Sequence, residues 1–230
     1  MSELYCALDT TDLVRAEALV AALGSAVDGI KLGLEFFGAH GPKGVERLTG
    51  PERPVFLDLK LHDIPNTVVG AVRALLPLEP AILTIHAAGG RAMMRAAAEA
   101  AGEADGRKPK LVGVTILTSL DEDDLARIGW QAEVSDAVRR LAGEARESGL
   151  DGVVCSPHEA ARLRRDQGPE FLLVVPGIRP LWVASGDQKR VMTPAEAARA
   201  GADVLVVGRP ITGADDPAVA ARRIAAELVA

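Results

Sequence analysis

One pattern constrains this chain more than any other: a short apolar run of strand composition, followed by a longer segment of helical period, recurs eight times. The strand runs are Leu4–Leu8, Gly29–Leu32, Val55–Leu59, Ile82–Ile85, Leu111–Ile116, Gly152–Val154, Leu172–Val175 and Val204–Val207. Helices are predicted near Asp12–Leu23, Gly44–Leu48, Thr67–Leu76, Arg91–Ala101, Val134–Ser148, Pro157–Asp166, Pro194–Ala200 and Pro217–Leu228. Thr193, Pro194 and Glu196 read as an N-cap, N1 and N3 set, and Gly24, Gly149 and Gly201 stand where left-handed helix ends belong. Strands joined by crossover helices run parallel and are covered on both faces, which is why Val204-Leu-Val-Val207 is apolar throughout. Eight such units predict an α/β fold of the (β/α)8 TIM-barrel type, one domain over residues 1–230. The alternative, an open doubly wound sheet, lacks a GxGxxG after an early strand.

Composition excludes several classes of function. With 26 basic and 32 acidic residues the net charge is -6, so broad attraction to nucleic acid or an anionic membrane is not expected. The two cysteines, Cys6 and Cys155, stand apart in apolar runs and read as small buried residues of a reducing compartment. Met1-Ser2-Glu3-Leu4 has neither the basic start nor the apolar core of a signal peptide. No stretch approaches the roughly 18 apolar residues of a membrane helix. The expected location is the cytoplasm.

A barrel places its chemistry at the carboxyl ends of its strands. Those ends carry Asp9, Lys31, then Asp58, Lys60 and Asp63, then His86, then Thr118. Only six of the 26 basic residues are lysines, yet Lys31 and Lys60 both stand inside strand-like runs. In Val55-Phe-Leu-Asp58-Leu-Lys60-Leu-His-Asp63 the first Asp and the Lys are two apart, so on a regular strand both face one way. Alternating carboxylates and ammonium groups keep each other charged without a metal and suit the stabilisation of a developing anion. The competing reading of the same spacing is a structural ion network at a strand end.

A second cluster comprises Val175-Pro-Gly-Ile-Arg179-Pro, the loop through Gly186-Asp-Gln188-Lys-Arg190, and Val206-Val-Gly208-Arg209-Pro. Loops after strands seven and eight of a barrel commonly bind phosphate, and Arg209 offers a bidentate partner beside a glycine that admits close approach. The loop from Pro176 to Val191 exceeds the usual connection of about 4 to 6 residues, as a lid would. Against this, Gly-Arg-Pro is also a turn with a surface arginine. His62 faces away from Asp58 and Lys60 on strand alternation and reads as structural, whereas His86 stands at the mouth, where packing or orienting Lys60 or Asp58 are its candidate roles. Thr118 and Ser119 are small hydrogen-bonding groups, equally suited to capping a segment that begins at Asp121. No two histidines are spaced as metal ligands.

Taken together, Phe56-Leu-Asp-Leu-Lys-Leu-His-Asp-Ile-Pro-Asn-Thr67, Gly177-Ile-Arg-Pro180, Gly186-Asp-Gln-Lys-Arg-Val-Met-Thr-Pro194 and Val207-Gly-Arg-Pro-Ile-Thr212 resemble the bacterial orotidine 5'-phosphate decarboxylase family. The resemblance runs from Leu8-Asp9 to Thr212. It implies a homodimeric barrel that converts orotidine 5'-monophosphate to uridine 5'-monophosphate and carbon dioxide with neither cofactor nor metal. Lys60 would donate the proton, Asp58 would lie beside the substrate carboxylate, and Lys31 and Asp63 would complete the charged network. The resemblance further implies that Asp63, Ile64 and Thr67 contact substrate, Asp63 and Thr67 reaching into the other subunit's site. Asp9 and Lys31 would hold the ribose, Thr118 the pyrimidine, Gln188 base and phosphate across the lid, and Arg179, Gly208 and Arg209 the phosphate.

Two further readings compete. A magnesium-dependent sugar-phosphate decarboxylase or synthase shares the barrel and the DxKxxD spacing, but Ile64-Pro-Asn-Thr67 and Gln188 argue against it. A binding module that has lost catalysis is disfavoured because Asp9, Lys31, Asp58, Lys60 and Asp63 are all present.

Overall fold

The computed structural model describes residues 2–50, 53–183 and 192–228. Strand β1 (Glu3–Ala7) leads to α1 (Leu13–Leu23), β2 (Gly29–Gly33) to α2 (Leu34–Leu48), β3 (Val55–Leu61) to α3 (Pro65–Leu75), and β4 (Ile82–His86) to α4 (Gly90–Ala101). After β5 (Lys110–Val114) come α5 (Glu122–Arg127) and α6 (Val134–Glu147), then β6 (Gly152–Val154) with α7 (Pro157–Gln167) and β7 (Leu172–Pro176) with α8 (Pro194–Arg199). Following β8 (Val204–Val207) are the short α9 (Arg209–Thr212) and α10 (Pro217–Glu227). All eight strands pair in parallel and in chain order, and β1 closes the ring onto β8 from Glu3↔Val204 to Cys6↔Val207.

The period of two along each strand divides its side chains between two cores. Tyr5, Ala7, Phe56, Ile82, Val112, Val174, Val204 and Val206 fill the barrel. Their neighbours Leu4, Cys6, Leu57, Leu83, Leu111, Leu173 and Leu205 pack outward among the buried faces of the helices. Leu57 and Leu83 are fully buried, so truncating either to Ala would cost about 2–5 kcal/mol. Gly29, paired with Tyr5, points inward and must lack a side chain, since a Cβ there would run into the Tyr5 ring and the Pro54 carbonyl.

Helix termini follow the chemistry expected of them. Thr193 and Glu196 close a capping box around Pro194, and Gly24, Gly149 and Gly201 all have positive φ. Ser156 and Glu159 make a second box before α7. Where α2 is concerned the sequence pattern starts too late, at Gly44 instead of Leu34. Gly38, Gly41 and Pro42 disguise the first turns, and Gly41 does break the helix, with φ 59° and ψ -157°. Burial of Phe36 holds the first half in place despite those breakers. The segment after Thr118 and Ser119 does form a helix, α5, but its cap is Asp121, paired with Asp124, and neither Thr118 nor Ser119 serves.

Among the described residues no helix is long and apolar enough to cross a membrane. Cys6 and Cys155 are buried free thiols, and burial pushes the Cys6 pKa up to about 12 and that of Cys155 upward too.

Candidate active site

The apolar filling of the barrel stops short of the carboxyl ends of the strands. Ala7, Phe56, Val174 and Val206 form its upper layer, and on them rests a cavity of about 320 Å³. That size lies within the range of ligand pockets. Asp9, Lys31, Asp58 and Lys60 border it from the ends of β1 to β3, Thr118 follows β5, and Gly177, Arg179, Gly208 and Arg209 follow β7 and β8.

Asp58 is the centre of the charged cluster. Its Oδ1 accepts from Lys60 Nζ at 2.8 Å, and its Oδ2 lies 3.6 Å from Lys31 Nζ. Lys31 also reaches Asp9 Oδ1 at 3.2 Å. Side-chain exposure falls from 57% at Asp9 to 28% at Lys60, 14% at Asp58 and 11% at Lys31, so the pairs grow less solvated inward. Burial by itself would raise the Asp58 pKa. The charges of Lys31 and Lys60, with hydrogen bonds from Lys60 and Thr84, outweigh it and leave the carboxyl below its ordinary value. A carboxylate so held fixes two ammonium groups at the edge of the cavity.

The two residues of the Asp-x-Lys pair do not meet across a regular strand. Between β3 and β4 the register steps from Leu57↔Leu83 to Leu61↔Ile85, four residues against two, so β3 carries two extra residues. Lys60 sits in this bulge with φ +50°, in the left-handed region. Such a conformation costs a non-glycine residue about 1–2 kcal/mol. Bulges commonly re-aim a side chain next to an active site. Here the Lys60 N–H, which has no regular ladder partner, donates to Thr84 Oγ1 at 2.8 Å, and that hydroxyl donates to Asp58 Oδ1 at 3.1 Å.

Thr84 is the member of this hydrogen-bond network that strand-end reasoning passes over. It lies two residues inside β4, fully buried, on the same inward face as Ile82. The available signal is a lone hydroxyl at an inward position within the run Ile82-Leu-Thr-Ile85. His86, the candidate for orienting Lys60 or Asp58, does not border the cavity; its ring lies tilted against that of His62, with centroids 5.3 Å apart. Burial, then the neighbouring His62 and Lys60, lower the His86 pKa, Asp58 opposing them. His62 is exposed and likewise lies off the cavity.

Asp63, Ile64 and Thr67 are not brought into the cavity of their own chain. All three are exposed, and Asp63 Oδ1 accepts from the Ile64 N–H at 2.7 Å instead of pairing with Lys31 or Lys60. Arg179 is buried, Arg209 is exposed, and both border the cavity. A Cβ on Gly208 would make only ordinary contacts with Ala7 and Asp9. Ile178 and Met192 bridge the stems of the long loop, and the Arg179 N–H donates to Met192 O. Gln188 lies outside the described residues, as does the rest of the loop from 184 to 191. Among the described residues no group of three or more His, Cys, Asp or Glu side chains is arranged to hold a metal ion.

Fold and site together define a (β/α)8 barrel with a ligand cavity ringed by lysine–carboxylate pairs and arginines. The chain matches the model of the orotidine 5'-phosphate decarboxylase / HUMPS family over residues 2–224, and it belongs to that family. Among curated relatives, orotidine 5'-phosphate decarboxylase of Rhodospirillum rubrum is 59% identical over 98% of this chain and 94% of its own. The enzyme of that name from Paramagnetospirillum magneticum is 53% identical over 99% of both. Of solved structures, orotidine 5'-phosphate decarboxylase from Lactobacillus acidophilus superposes with a TM-score of 0.89 at 36% identity, covering all of both chains. The Pyrococcus horikoshii protein, at 23% identity and a TM-score of 0.78 over 99% of each chain, shares the fold.

Proposed function

We propose that this chain decarboxylates orotidine 5'-monophosphate to uridine 5'-monophosphate in de novo pyrimidine biosynthesis, as a single-domain cytoplasmic enzyme that needs neither metal nor cofactor. The observation that carries the reading is Asp58 held between Lys31 and Lys60 at the edge of the cavity. Both carboxylate oxygens are already met by ammonium groups, so the cluster is balanced by the protein's own charges.

The chemistry follows from that arrangement. The bond from C6 to the carboxylate breaks, carbon dioxide leaves, and the electron pair stays on C6. This carbanion is poorly delocalised, so a fixed ammonium where the charge develops is the dominant stabiliser. Lys60 then gives an Nζ proton to C6 and is reprotonated from solvent. Asp58 lies beside the substrate carboxylate, and Asp9 and Lys31 hold the ribose hydroxyls. Thr118 meets the pyrimidine, while Gly208, Arg179 and Arg209 take the phosphate and Gln188 spans base and phosphate. Binding energy from the phosphate, remote from C6, serves the chemical step by organising the site. Two copies form a dimer in which Asp63 and Thr67 of each complete the other's site, in keeping with their exposure in the single chain; Ile64 beside them also contacts substrate.

The test follows the ultraviolet absorbance of orotidine 5'-monophosphate with purified protein in excess chelator, beside Lys60→Ala. Turnover without metal is expected. Losing one preorganised stabilising donor typically costs about 10²–10³ in kcat, and Lys60→Ala, which also removes the proton donor, should lose more. No turnover by folded wild-type protein, with activity on a sugar phosphate restored by magnesium, would replace this reading with a metal-dependent one.

A further inference from the structure

We propose that Thr84 is a positioning residue for the decarboxylation, its hydroxyl holding the Asp58 carboxylate and the Lys60 main chain in fixed relation. The inference rests on the decarboxylase reading of the site.

Three hydrogen bonds and the Lys60 side chain close a ring. The Lys60 N–H donates to Thr84 Oγ1 at 2.8 Å, Thr84 Oγ1 donates to Asp58 Oδ1 at 3.1 Å, and Lys60 Nζ donates to that same Oδ1 at 2.8 Å. The covalent path from Lys60 nitrogen to Nζ completes the circuit. A hydroxyl has one proton and two lone pairs, so a single oxygen serves as acceptor and donor at once. With Thr84 fully buried, bulk water cannot take over either bond.

The ring matters because of where Lys60 stands. Its backbone occupies the left-handed region within the β3 bulge, where the regular ladder to β4 is interrupted. Thr84 lies in β4 between Leu83 and Ile85, the residues that flank this interruption, and its side chain supplies an acceptor to the bulged N–H. The direction of the Lys60 side chain is set by that backbone. Releasing it lets the ammonium drift from the point where charge develops, a displacement to which catalysis responds steeply.

Thr84→Val keeps the shape and removes the hydroxyl, whereas Thr84→Ser keeps the hydroxyl and removes a methyl group. Each is compared with wild type for kcat on orotidine 5'-monophosphate and for the Kd of uridine 5'-monophosphate. Thr84→Val is expected to lower kcat by about 10- to 100-fold while its Kd stays within about threefold. Thr84→Ser is expected to retain kcat within about threefold. A fully active Thr84→Val, a Thr84→Ser as damaged as Thr84→Val, or losses confined to Kd would each overturn the inference. Should Thr84→Val fail to fold, Thr84→Cys is compared with Thr84→Ser, since both lack the methyl group and the thiol is a far weaker donor and acceptor than the hydroxyl; the same fall in kcat is expected of Thr84→Cys, and full activity would overturn the inference. Wild-type protein that releases no carbon dioxide would instead remove the decarboxylase reading, and the inference with it.

Discussion

Gly33 of β2 stands in register with Asp58 of β3, and its missing side chain leaves room for the ammonium that Asp58 binds. A Cβ on Gly33 would lie 3.0 Å from Lys31 Nζ and 3.5 Å from Asp9 Oδ1. The backbone there, at φ -99°, makes no demand for glycine, so the constraint comes from the site.

Gly33→Ala should therefore leave the fold intact and displace Lys31. The clash falls on the tip of a flexible side chain, so thermal stability should change by less than about 1 kcal/mol. Turnover should fall by about tenfold, since small misplacements of a charged group at a reacting centre are costly. Unchanged kcat in a crystal structure that shows Lys31 displaced would contradict this.

Asp58 should titrate below the ordinary carboxylate range despite its burial. Its folded pKa is lowered, so its ionisation contributes stability that is fully present above the unfolded value of 3.8 and is lost as pH falls through the folded one. Lys60→Ala removes one charge and one hydrogen bond, and the Asp58 pKa should rise in that variant. A carboxyl carbon-13 titration of both proteins checks the order. An Asp58 that titrates above 4 in the wild type would be the contrary result.

Arg209→Ala should reduce kcat/KM and not affinity alone. Hydrogen bonds to charged groups are worth about 1.5–3 kcal/mol, or roughly 10- to 150-fold. If phosphate binding organises the site for the chemical step, part of that loss appears in kcat. Steady-state kinetics that place the whole loss in KM would count against the coupling.

Mixing Lys60→Ala with Asp63→Ala should recover activity from two inactive proteins. In a two-fold symmetric dimer with shared sites, a heterodimer has one site with both defects and one with neither. Random exchange of equal amounts then restores about a quarter of wild-type activity, half the dimers being mixed and half of their sites intact. No recovery, with heterodimers verified by native mass spectrometry, would show that Asp63 acts within its own subunit.

The barrel and most of the charged site are legible in the sequence because both follow from local rules. Period-two and period-3.6 patterns mark the elements, and barrel chemistry gathers at strand ends, which points to Asp9, Lys31, Asp58 and Lys60 without coordinates. Gly38, Gly41 and Pro42 read as breakers, yet the burial of Phe36 draws the segment into α2, an interaction that no local window contains.

What the sequence determined by itself is the alternation, the caps and the identity of the charged residues, since each depends on neighbours along the chain. Tertiary structure alone decided how they meet. Asp58 and Lys60 come together through a two-residue excess of β3 over β4, and Thr84 becomes their common partner because pairing of the two strands places its hydroxyl beneath the bulge. Register between strands is a non-local quantity, set by the fit of whole faces into the two cores, and the geometry of the site is a property of that register.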